Sequence, residues 1–123
     1  MLAGQQAQKL FANHEGIEHF RKALRCAEQL PPEDTVRQRQ QSHASLGQML
    51  TSIGQYEPAL QHLQEALELA VALADRDAQA RACRWISYVY EFRSEFSLAL
   101  DWIGRDAIFH MNASWARPIS FIH

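Results

Sequence analysis

A chain of 123 residues and 14.1 kDa with 47% apolar residues has room for one domain that hides roughly two-thirds of its unfolded surface, which excludes a disordered polymer. Twelve Lys and Arg against fourteen Asp and Glu leave a formal charge of -2, so there is no sequence-wide attraction to nucleic acid or to an anionic membrane. The longest apolar run, Leu69 to Ala74, falls far short of the ~20 residues that span a bilayer, and Met1 to Phe11 lacks the apolar block of a signal peptide. The chain reads as soluble and cytoplasmic. Cys26 and Cys83 stand apart and neither belongs to a Cys-x-x-Cys pair, which argues for two reduced thiols rather than a zinc site or a disulfide framework.

Apolar residues recur at three- and four-residue steps nearly everywhere, without sustained alternation, and glycine and proline are scarce; this is the pattern of an all-helical chain. Turn-forming residues fall at Asn13-His14, Leu30 to Asp34, Gly54-Gln55, Ala74 to Asp77, Arg93-Ser94 and near Met111-Asn112. They predict six helices of about 12 to 20 residues and a tail. Two helices precede Leu30. The third carries Leu46, Met49, Leu50 and Ile53 on one stripe, and the fourth Ala59, Leu60, Leu63, Ala66, Leu67 and Ala70, so each buries a face against neighbours. A fifth and a sixth follow up to residue 110. The tail, 111–123, holds Trp115, Pro118, Ile119, Phe121 and Ile122, a composition suited to capping the last helices or docking on another surface.

The helices repeat. A shift of 43 residues lays Gly16 to Ala27 on Ala59 to Ala70 with the apolar phase kept, including His19 on His62 and Ala23-Leu24 on Ala66-Leu67. A shift of 40 lays Leu46-Gly47, Leu50, Gly54-Gln55-Tyr56, Ala59-Leu60 and Leu63 on Ile86-Ser87, Tyr90, Ser94-Glu95-Phe96, Ala99-Leu100 and Ile103. Small residues fall on small ones and rings on rings. A small residue at Gly47 or Ser87 lets the first helix of a pair approach the second, Tyr56 or Phe96 wedges between them, and Ala59 or Ala99 offers a second close contact. Gly54 and Ser94 permit the reversal. A single hairpin cannot bury its apolar face alone, so copies stack around a shared core.

Leu46-Gly47, Leu50, Gly54 to Leu60, Leu63 and Ala66-Leu67 together resemble a tetratricopeptide repeat, in a variant whose period is about 40 residues rather than 34. The resemblance implies an all-α fold of antiparallel helix hairpins stacked as a right-handed superhelix within one domain, 1–123. Its repeats are 1–30 (truncated at its start), 33–74 and 76–110, followed by the tail 111–123. It implies a protein-interaction scaffold without catalytic activity or cofactor, part of a larger signalling or regulatory protein. A partner's peptide or helix would lie in the concave groove. By alignment that groove is lined by Gln5, Gln8 and Lys9; by Gln41, Ala44, Ser45, Gln48 and Thr51; and by Arg81, Arg84, Trp85, Tyr88 and Glu91. Gln41, Ala44, Gln48, Arg81, Arg84, Tyr88 and Glu91 are the expected peptide-binding set. Two arginines beside Tyr88 suit a partner with an acidic group and an apolar anchor. Of the residue set that clamps a C-terminal carboxylate in part of the family, only Arg81 fits. The outer face, including His19, Lys22, His62 and Glu65, is expected to be solvated.

Two other readings come from the residues. His43-Ala44-Ser45-Leu46-Gly47 resembles the phosphate-accepting segment of histidine phosphotransfer domains, though Leu46 stands where those carry Lys. The apolar tail and the abrupt first repeat suggest self-association, making the chain a homo-oligomerisation module. None of the six histidines pairs at a metal-binding helical spacing, so no metal is expected.

Overall fold

The three-to-four-residue periodicity becomes helix throughout. A computed structural model describes residues 2–111, and the side chains from 8 to 105. Five α-helices follow in order: α1 (Leu2–Ala27), α2 (Val36–Ser52), α3 (Tyr56–Ala72), α4 (Arg76–Phe92) and α5 (Phe96–Met111), with a 3-10 turn at Pro32–Asp34 between α1 and α2. Each helix packs on the one before and the one after, and α2 also touches α4. The expected all-α class and stacking in chain order are what the molecule adopts. Among the described residues no helix is long and apolar enough to cross a membrane.

One expected break is missing. α1 runs through Asn13-His14 without interruption, so Leu2–Ala27 form one long helix rather than a hairpin, and among the described residues five helices stand where six were expected. Asn and His favour caps, but neither forces a reversal as Gly or Pro would. The nearby Gly16 has a different use: a Cβ there would come within 2.7 Å of the Met49 thioether, so the glycine seats α1 against α2. The tail residues 112–123, expected to cap or dock, lie outside the described residues.

From α2 onward the chain keeps a strict pitch. Helices begin at 36, 56, 76 and 96, twenty residues apart, and the first three are each 17 residues long. The middle residue of every connecting turn is left-handed, Gly54 at φ 81°, Ala74 at 54° and Ser94 at 62°. Behind it the next N–H reaches back to the helix, Gln55 to the Leu50 carbonyl at 2.9 Å, Asp75 to Ala70 at 3.0 Å and Glu95 to Tyr90 at 2.8 Å. With the companion bonds from Gly54, Ala74 and Ser94 to Thr51, Val71 and Glu91, these are three copies of the Schellman closure, which satisfies carbonyls a helix end would otherwise leave orphaned.

The core centres on α2, α3 and α4, where Leu46, Leu50, Leu63, Ile86 and Val89 are almost wholly buried. Each such side chain contributes roughly 1.5–3 kcal/mol relative to exposure. The small-residue register read from the sequence holds at both hairpins. A Cβ on Gly47 would stand 2.4 Å from Leu63 and 3.4 Å from the Ala59 carbonyl oxygen, so only glycine fits. Forty residues on, the buried Ser87 hydroxyl donates to the Ala99 carbonyl at 3.0 Å, the same contact made by a hydrogen bond. One of the two rings departs from expectation. Tyr56 is half-buried and stacks on Phe92 at 6.2 Å, whereas Phe96 is not wedged between helices but lies on the surface.

Candidate functional site

Because α2 and α4 are alternate helices of the stack, both lean on α3 and leave a trough between them. The trough is an open recess of about 180 Å³. One wall is α2, with Gln40, Gln41, Ala44, Ser45 and Gln48; the other is α4, with Ala78, Arg81, Ala82 and Trp85; Leu63 of α3 reaches its floor. Both walls are single helical stripes at three- and four-residue spacing. Ala44, Ala78 and Ala82 keep the walls low, while the glutamines and Ser45 supply donors and acceptors.

The N-terminal ends of the walls are tied together. Asp75 caps α4 by accepting the Ala78 N–H at 3.0 Å and also receives the Arg37 guanidinium of α2 at 2.5 Å. The Ala78 N–H and then Arg37 hold the Asp75 carboxyl below the ordinary carboxylate value. Arg81, exposed at the rim, adds a further cation near the same end. Trp85 packs edge-on against Tyr88, rings 5.4 Å apart at 84°, which fixes the indole beside the recess.

Of the residues expected from sequence, Gln41, Ala44, Ser45, Gln48, Arg81 and Trp85 come together in the recess. Arg84, half-buried, and the exposed Tyr88 and Glu91 do not line it. Thr51 is buried and donates to the Gly47 carbonyl at 2.7 Å, so its hydroxyl serves α2 itself. Gln8 and Lys9 lie exposed on α1, away from the trough, because no first hairpin forms to carry them there; the side chain of Gln5 lies outside the described residues. Sequence reasoning missed Gln40, Ala78 and Ala82. The spacing 78, 81, 82, 85 marks one stripe and was a usable signal; transfer by alignment set the α4 wall three residues, nearly one turn, too far along the helix.

A second cluster lies between α2 and α3. His43 and His62 set their Nδ1 atoms 2.9 Å apart, with one ring donating to the lone pair of the other. His62 was expected on a solvated outer face; instead it is half-buried against His43. Burial first, then the neighbouring His62 and Arg39, lower the His43 pKa to about 4. His62 is lowered too, by burial and by Arg21, with Glu65 opposing. The Nδ1 of His43 is thus engaged within the helix pair. Among the described residues no group of three or more His, Cys, Asp or Glu is placed to hold a metal ion.

Comparison with known proteins adds no identity: no protein-family model matches the chain, and neither a curated protein nor a solved structure matches it.

Proposed function

We propose that the chain is a tetratricopeptide-like interaction module of the cytoplasm, acting by binding rather than by catalysis, and that the trough between α2 and α4 receives an extended or helical segment of a partner protein. The observation that carries this reading is the recess itself, where Arg81 and Trp85 face Gln41, Ser45 and Gln48 across a floor reached by Leu63. An arginine can grip a carboxylate through two parallel N–H bonds, the indole offers a flat apolar anchor, and the glutamines match a partner's backbone amides. The ligand class is an acidic peptide with one apolar anchor.

The test uses fluorescently labelled peptides that pair a Glu/Asp cluster with a single Leu or Phe, with basic scrambled controls, titrated with the intact chain. A charge-assisted hydrogen bond is worth about 1.5–3 kcal/mol, so Arg81→Glu should weaken the best acidic peptide roughly tenfold or more. Arg84→Glu, outside the recess, should weaken it less. Unchanged affinity in Arg81→Glu removes the trough as the binding face.

A further inference from the structure

Among the described residues, α5 carries an apolar stripe that its own pattern says belongs in a core. On α5, Phe96, Leu100 and Ile103 are spaced four and three residues apart and so share a face, and they are 59%, 68% and 45% exposed. Their counterparts forty residues earlier are Tyr56, Leu60 and Leu63 on α3, where Leu60 and Leu63 are buried because α3 is packed between α2 and α4. Among the described elements α5 packs on α4, through Ala99 and the flank bearing Trp102. The stripe therefore continues, in register, an interface that a further helix covers on α3.

The order of side-chain sizes selects the occupant. Gly104 adjoins the stripe on α5, and a Cβ built there meets nothing within 4 Å, which leaves open space at the surface. Phe96 lies four residues before Leu100 and Gly104 four residues after it, so the sizes large, medium and small run evenly about Leu100. An antiparallel helix with the same order is complementary to it: Leu100 meets Leu100, and Phe96 of each copy fills the space over Gly104 of the other. Among the described side chains of the helix, Arg105 stays off the contact, since it is folded onto Trp102 at 4.2 Å and pairs with Asp101 at 3.4 Å. We infer that the outer stripe of α5 is a self-association surface, paired two-fold with α5 of a second copy about Leu100. Such an interface is isologous, as two-fold dimers require.

Sedimentation equilibrium, or size exclusion with light scattering, of the full chain tests this. Wild type should run as a dimer, twice 14.1 kDa. Leu100→Glu, at an exposed position, should be monomeric with unchanged helical circular dichroism. Gly104→Leu, which meets open space in the monomer, should raise the dimer Kd roughly tenfold or more. Combining it with Phe96→Ala should restore association, because the sizes become complementary again. A monomeric wild type overturns the inference, as does a dimer indifferent to Leu100→Glu. A wild type that dimerises only after removal of residues 112–123 also overturns it, because the chain's own tail would then be what covers the stripe.

Discussion

Two imidazoles facing each other at 2.9 Å are most stable when both are neutral, and this makes the helix pair α2–α3 sensitive to acid. The folded His43 takes up its proton near pH 4, against 6.5 for the ordinary group. Above 6.5 it is neutral in both the folded and the unfolded chain and favours neither. As pH falls from 6.5 toward 4, the unfolded chain binds a proton that the folded chain refuses, so stability drops across that window and levels off below it. His62, lowered as well, acts in the same direction. Urea unfolding at about pH 7 and about pH 5 should show the wild type losing stability on acidification, and His43→Gln and His62→Gln should each lose less. Single residues were unevenly legible. Gly47 announced its close contact through the repeat. His62 did not, because a histidine beside Gln and Glu on an amphipathic helix looks the same in sequence whether its ring meets water or another ring across a helix contact.

Turns decide how regularly the helices follow one another. Left-handed backbone comes at little cost to glycine but costs other residues roughly 1–2 kcal/mol, partly offset by glycine's greater freedom when unfolded. Gly54 meets that demand directly, whereas Ala74 at φ 54° and Ser94 at φ 62° hold the same conformation with a side chain attached. Ala74→Gly and Ser94→Gly should therefore each stabilise the fold by about 0.5–1 kcal/mol, seen as a higher denaturation midpoint at unchanged slope. Elements were more legible than residues. Gly54 and Ser94 marked their reversals and the cluster Ala74 to Asp77 a break, since each residue type has a local preference that agrees with the global path. The break expected at Asn13-His14 failed because cap propensity is worth only about 1 kcal/mol. Packing of α1 along α2, where Ile17 is buried in the core, outweighs it.

For the molecule as a whole, stability is concentrated in the middle of the stack. Among the described side chains, α2, α3 and α4 supply nearly all of the fully buried large ones, while α1 contributes Ile17 and Ala27, and α5 contributes Ala99, to the buried apolar set. Where each helix leans mainly on its neighbours, free energy is close to a sum of local and nearest-neighbour terms, and the ends open first. Amide hydrogen exchange should show the slowest exchange around Leu46–Leu50, Leu63–Leu67 and Cys83–Val89, and at least roughly tenfold faster exchange in α5 and before Gly16. The trough was partly visible in the sequence for a related reason. Its α2 wall follows the repeat register directly, but which stripe of α4 faces the trough is set by how α4 packs against α3 and α5, contacts between helices that no local pattern encodes. The constant twenty-residue pitch has a consequence for how such a chain changes over generations. A duplicated or excised block of forty residues, cut at equivalent turns, would rejoin through the same hydrogen-bonded corner with every helix face still in phase, so copy number can drift by whole cassettes without any junction having to be reinvented.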